Sequence, residues 1–192
     1  MGKGLIVTLV IVGVIVVFGF GFFMWGTGIY DKAIQAQERV NAEFADVQAT
    51  YQRRADLVPN LVATVQGAAE NERRILTEVT QARAGITSAQ TPEDLEIAGR
   101  RINTAINLAF EAYPQIRSTE NFQNLQAQLE GTENRINIAR QRYNDAVREY
   151  NTYVRGYFKR MALNMFGGGE DFSPRTGFQA AAGAENAPKV EF

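Results

Sequence analysis

The sequence predicts an all-α protein in which an N-terminal transmembrane helix is followed by an elongated helical bundle, antiparallel or parallel, with coiled-coil-like seams. Three observations carry that prediction. No charged side chain occurs between Gly4 and Tyr30. Beyond it, apolar residues recur at alternating four- and three-residue steps, the period of a helix seam. No segment shows the two-residue alternation of a half-buried strand. The composition divides the chain into an anchor at residues 1–30, a bundle at 31–166 and a C-terminal tail at 167–192.

The anchor comes first. Leu5 to Trp25 is an almost unbroken run of Val, Ile, Leu, Phe and Gly, marked along its length by Leu5, Val10, Ile15, Phe20 and Trp25. As a helix it reaches about 32 Å, against a hydrocarbon core of about 30 Å. Trp25 and Tyr30 fall where interfacial aromatics belong. A cleaved secretory signal needs small residues at the exit, and Phe22, Phe23, Met24 and Trp25 stand there instead, so the segment is expected to stay as an anchor. Gly13, Gly19 and Gly21 form no clean small-residue motif. Lys3 with the amino terminus lies on one side, while Asp31, Lys32, Glu38 and Arg39 cancel on the other; this leans slightly toward an outside, periplasmic domain.

The first soluble stretch, Asp31 to Ile86, carries a seam of Val40, Phe44, Val47, Tyr51, Val58, Leu61, Val65, Ala68, Ile75, Val79, Ala82 and Ile86. Arg54 and Glu72 interrupt it. Pro59 removes a backbone donor and predicts a kink or a break near Ala55. Because the seam keeps its phase across the proline, a kink and three long helices are favoured; a break gives four. Thr91, Pro92, Glu93 and Asp94 then form a start signal, with a hydroxyl cap, a proline at the first helical position and acids at the positive end of the dipole. They predict a helix from Pro92 to Ala112 with the stripe Leu95, Ala98, Ile102, Ala105 or Ile106, and Ala109, ended by Pro114.

The last helix is predicted to start near Ser118 or Thr119, with Phe122, Leu125, Leu129, Ile136, Tyr143, Val147, Tyr150, Val154, Tyr157 and Met161 on its seam. Glu133 and Arg140 are its polar intruders. The pairs Tyr143-Asn144 and Tyr150-Asn151 repeat with the same seven-residue period. They read either as Asn on a solvated face or as a ladder of inter-helix hydrogen bonds fixing register. From Gly167 onward, Gly, Ala, Pro and Ser dominate, the composition of a mobile tail.

Composition restricts the chemistry. The 20 Lys and Arg against 21 Asp and Glu leave no basic footprint for nucleic acid. With no Cys and no His, disulfides, thiolate nucleophiles, imidazole bases and the commonest zinc ligands are absent. Glu70 and Glu72 do not share a helix face, and Gly167-Gly168-Gly169 lacks the Lys-Ser/Thr of a phosphate loop. No catalytic residue, metal or cofactor is expected.

Lengths suggest a partner. A continuous helix from Asp31 to Ile86 would measure about 84 Å, the second about 32 Å and the third about 72 Å. If the first and third run parallel, two apolar surfaces stay bare: Val40, Phe44, Val47 and Tyr51 near the membrane, and Tyr150, Val154, Tyr157 and Met161 at the far end. Exposed stripes of that kind mark association surfaces, so a homo-oligomer is expected on the bilayer.

Several segments carry a resemblance: RRADLVPNLV at Arg53 to Val62, EAYPQIRSTENFQNLQ at Glu111 to Gln126, LEGTENRINIARQRYNDAVREYN at Leu129 to Asn151, and the ending APKVEF. With a single N-terminal span they resemble the LemA family of bacterial membrane proteins over nearly the whole chain. The resemblance implies a single-pass, membrane-anchored helical bundle in the bacterial plasma membrane with its short N-terminus outside, opposite to the lean of the charges. It implies no particular activity. Where the family tends to have a proline near the end of the third helix, this chain reads Arg155-Gly156-Tyr157-Phe158, so that helix is expected to run longer. In the family's motifs, Leu57, Leu61 and Tyr113 read as core or turn-fixing residues.

Arg54, Glu72, Glu133 and Arg140 are two bases and two acids at positions the seam reserves for apolar groups. Unpaired, each would cost several kcal/mol, so a register-setting ion pair is expected, with Glu72 and Arg140 the preferred partners. Val190-Glu191-Phe192 supplies an apolar-x-apolar ending suited to capture as an added strand, with Val190 and Phe192 as the recognised side chains. These readings predict a non-enzymatic homo-oligomeric scaffold that organises or shapes the membrane. The alternative is an adaptor that recruits another membrane protein, such as a protease, through its tail.

Overall fold

A computed structural model describes the backbone at residues 2–63, 69–112, 120–166 and 171–179, with side chains there except at 3, 61–63, 69–72 and 120–122. Every regular element among these residues is a helix: α1 (Lys3–Ala63), α2 (Ala69–Ser88), α3 (Pro92–Ala112), α4 (Glu120–Arg155) and α5 (Tyr157–Met165). The described residues form two compact units. An anchor unit lies within Met1–Asn41 and Ala146–Arg175, and a bundle unit within Ala42–Asp145 and Thr176–Phe192.

In the bundle unit, contacts across helix pairs set the directions. Gln48 Nε2 donates to Ile86 O at 3.1 Å and Ala89 O at 3.0 Å, while Asp56, further along α1, pairs with Arg83 at 2.5 Å. Positions rise on α1 as they fall on α2, so the two are antiparallel. Arg101 pairs with Glu78 at 3.7 Å while Ala98 lies beside Gly85, which makes α2 and α3 antiparallel. Phe44 meets Tyr143 at 5.6 Å between centroids and Arg54 pairs with Glu133, which makes α1 and α4 antiparallel as well. The result is an up-down-up-down four-helix arrangement.

The long first helix expected from the seam is therefore two helices. Pro59 lies inside α1, which ends at Ala63, and α2 starts at Ala69. Seam phase favoured a kink, yet both arms of a hairpin point their apolar residues at the same core. Phase is blind to the reversal. The seams themselves are filled as their spacing predicts: Val47, Tyr51, Val58, Ile75, Val79, Ala82, Ile86, Leu125, Leu129, Ile136 and Tyr143 are buried. α3 has the bounds its start signal and Pro114 predict, and Leu95, Ala98, Ile102, Ala105, Ile106 and Ala109 all face inward. At its start Thr91 and Asp94 cap each other. Asp94 N donates to Thr91 Oγ1 at 3.2 Å, and Thr91 N donates to Asp94 Oδ2 at 2.9 Å.

In the anchor unit, Leu5 to Met24 of α1 present their large apolar side chains outward. Below that stretch α1 is covered. Ile29, Ala33 and Val40 are buried, as are Ala146, Val147, Tyr150 and Val154 of α4. Tyr153 Oη donates to Ile29 O at 3.2 Å and Arg39 pairs with Glu149, so α4 runs antiparallel to α1 here too.

Antiparallel packing corrects the expectation of two bare stripes. Val40, Val47, Tyr51, Tyr150 and Val154 are each 5% exposed or less within the one chain, and Phe44 is half-buried against Tyr143. The extra reversal between α1 and α2 turns α4 back along α1, so within each unit the chain's own helices bury most of the residues assigned to sister molecules. Tyr157 and Met161 alone of that set remain exposed, at 77% and 43%.

The last helix does not run on past Arg155. Gly156 has an extended ψ of 130°, and α5 begins after it, with Arg160 N donating to Gly156 O at 2.8 Å. One non-helical residue rotates the seam: Ala162 and Leu163 turn inward, and Tyr157, Phe158, Met161 and Met165 turn outward.

Candidate functional site

Three of the four seam charges meet in the bundle unit. Arg54, Glu133 and Arg140 line an open cleft of about 550 Å³ with Tyr51, Glu96, Arg100, Asn103 and Gln179. α1 supplies Tyr51 and Arg54, α3 supplies Glu96, Arg100 and Asn103, and α4 supplies Glu133 and Arg140. Arg54 pairs with Glu133, and its side chain is only 14% exposed. Its Nε is buried and has no hydrogen-bond partner among the described residues. Loss of water holds this guanidinium below its ordinary range. Burial also pushes the Tyr51 phenol up, against the opposing pull of Arg140. Tyr51 reaches this place because α3 has Gly99 opposite: a Cβ there would stand 2.6 Å from Tyr51 Cε1.

Arg140 is held from three sides. Its Nη2 donates to Glu96 Oε1 at 2.6 Å and to Gln179 O at 3.3 Å, and its guanidinium sits 4.7 Å from the centre of the Phe178 ring. The partner foreseen for it, Glu72, has its side chain outside the described residues. Glu96 carries no mark in the sequence that it would serve, since it becomes Arg140's neighbour only when α3 lies against α4. The cleft gathers guanidinium, carboxylate, phenol and amide groups from three helices around ion pairs.

A second device follows the Tyr-Asn repeat. In the bundle unit, Asn144 Oδ1 accepts from Phe178 N at 2.8 Å and its Nδ2 donates to Phe178 O at 3.0 Å, while Tyr143 Oη donates to Thr176 O at 3.0 Å. The anchor unit repeats the scheme. Asn151 bonds both N and O of Arg175, at 2.9 and 2.8 Å, and Tyr150 Oη donates to Ser173 O at 3.1 Å. The repeat is a ladder, but its partner is the backbone of the tail and not another helix.

Residues 171–179 are thus fastened to α4, whereas their composition predicts mobility. Phe172 and Phe178 are buried, against Tyr30 and Tyr143 respectively. Composition counts Gly, Ala, Pro and Ser and misses two aromatic anchors among them. Val190 and Phe192 lie outside the described residues, as do the side chains of Leu61 and Tyr113.

A third feature lies at the end of the apolar stretch. Phe166, just after α5, rests on Phe22 and Phe23 with centroids 6.3 and 6.1 Å away, over Gly26, where any added side chain would collide with its ring. Leu5, Val10, Ile15, Phe20 and Trp25, the residues that mark the anchor, are all exposed.

These features define a class: an all-α protein with an apolar N-terminal helix long enough to cross a bilayer, continued into an up-down-up-down bundle. The chain matches the LemA family over residues 43–192 and belongs to that family. Comparison with curated proteins finds no match.

Proposed function

We propose that the chain is a single-pass protein of the bacterial plasma membrane that acts, without catalysis, as a self-associating scaffold organising or shaping the bilayer. The observation that supports this most is where bare apolar surface remains. The soluble seams are closed by the chain's own helices, while the large outward-facing apolar side chains concentrate on Leu5 to Trp25 and on Tyr157, Phe158, Met161 and Met165. A molecule so arranged meets lipid, and sister copies in lipid, through the anchor unit. In the bundle unit the apolar seams face inward, and the polar cleft is lined by charges that pair with one another.

Imaging the purified full-length protein in mild detergent, and again after reconstitution into vesicles, tests the reading. Discrete multimers and altered vesicle outlines are expected. A monomer in both settings, with vesicles unchanged, overturns it. The adaptor reading draws its support from the clamped tail, which fixes residue 179 to the bundle unit and so gives the remaining tail a set point of departure. Assembly that requires a second protein, and is lost when one residue is added after Phe192, would favour it.

A further inference from the structure

The outward face of α5 is uncovered among the described residues, and the residue that follows the helix points to what covers it. Phe22 and Phe23 belong to the last turn of the apolar run, so on the reading of that run as a membrane span they lie at the edge of the hydrocarbon. Phe166 is in ring contact with both, which puts the end of α5 at the same depth. The other end of α5 follows Tyr153, whose hydroxyl bonds the carbonyl of Ile29, about 6 Å further along α1 than Trp25. α5 therefore occupies the layer between hydrocarbon and water, where lipid headgroups lie.

Its side chains suit that layer. Tyr157, Phe158, Met161 and Met165 are 77, 66, 43 and 60% exposed, while Ala162 and Leu163 face the protein. The helix carries two cations, Lys159 and Arg160, and no acid. Arg160 is exposed, and Lys159 Nζ stands 3.9 Å from the centre of the Tyr153 ring. Apolar side chains that reach toward acyl chains, beside cations level with phosphate groups, are the pattern of a helix lying in the bilayer surface.

We propose that α5 is an interfacial membrane-binding helix whose outward face, Tyr157, Phe158, Met161 and Met165, is covered by phospholipid. It gives the anchor unit a second hold on the membrane. It also ties α4 to the bilayer surface, which a single span with a swivelling exit would not.

The chain has no cysteine, so single-cysteine variants each carry one label. Phe158→Cys, Met161→Cys and Met165→Cys, with Val16→Cys in the span and Glu38→Cys beyond it, are made in the full-length protein. Each is labelled with a polarity-sensitive fluorophore and reconstituted into vesicles of mixed zwitterionic and anionic phospholipid. In vesicles whose acyl chains are brominated near the headgroup, the three α5 positions are expected to show blue-shifted emission and to lose fluorescence, while Glu38→Cys does not. Quenching at Val16→Cys in deep-brominated lipid with none at the α5 positions overturns the proposal and leaves the span intact. No quenching at Val16→Cys removes the span and the proposal with it. Blue-shifted but unquenched α5 labels, together with intermolecular disulfide formation by the same cysteine variants left unlabelled and treated with an oxidant, assign the face to a second copy and likewise overturn the proposal.

Discussion

Asn144 holds Phe178 by both polar groups of one residue, accepting from its N–H at 2.8 Å and donating to its C=O at 3.0 Å. A single carboxamide does what an adjacent strand would do for that residue. Asn151 does the same for Arg175. The clamps fall seven residues apart on α4 and three apart in the tail.

Replacing either Asn by Leu should loosen the tail. Each change removes two hydrogen bonds, worth about 1–2 kcal/mol together at a partly exposed site. Trypsin cleavage after Arg175 should accelerate in Asn144→Leu, and more in the double variant with Asn151→Leu. Gly177→Ala should act in the same direction, because a Cβ there would stand 2.7 Å from Asn144 Oδ1. Equal cleavage rates in all variants would show that the clamp does not hold the tail.

Arg140 and Glu96 should be coupled. Arg140→Met strands a partly buried carboxylate, and Glu96→Leu strands the guanidinium, so each alone is expected to cost about 1–3 kcal/mol, between the values for exposed and buried pairs. Because the Phe178 and Gln179 contacts of Arg140 are also lost, joint replacement should recover only part of the sum. A double-mutant cycle from denaturant unfolding reads the coupling directly. Additive losses would mean that the two act independently.

Two helical glycines should respond with opposite signs. Nothing lies within 4 Å of a Cβ built at Gly131 in α4, so Gly131→Ala should stabilise by about 0.5–1 kcal/mol through helix propensity. At Gly99 the methyl would press on buried Tyr51, and Gly99→Val should destabilise by about 1–3 kcal/mol by overpacking. Shifts in thermal midpoint check both.

The cap of α3 should give a pH signature. The Thr91 hydroxyl, and after it the N–H groups of Gln90 and Thr91, hold the Asp94 carboxyl below its ordinary range. On acidification the unfolded chain takes up this proton first, so the cap's contribution is whole at neutral pH and falls away as pH drops through the depressed value. Asp94→Asn should flatten that part of the acid unfolding profile, measured by helix circular dichroism. An unchanged profile would remove the cap from the account.

Much of this was legible in the chain itself. The uncharged run from Gly4 to Tyr30, the four-three spacing of the seams and the Thr91-Pro92-Glu93-Asp94 signal each act within a turn or two of helix, so local spacing carries them. The Tyr-Asn repeat read either as Asn on a solvated face or as a ladder to another helix, and its heptad period gave no hint that the tail is the partner.

By itself the sequence determined the helical class, the long apolar N-terminal helix, the inward faces and the positions where charges break them. Tertiary structure alone decided the direction in which each helix runs, that Arg140 meets Glu96, and that Val40 and Tyr150 are covered from within. The physical reason is that periodicity records which face of a helix avoids water. It does not record which helix arrives to cover that face, and one reversal beyond Pro59 changes every neighbour that follows.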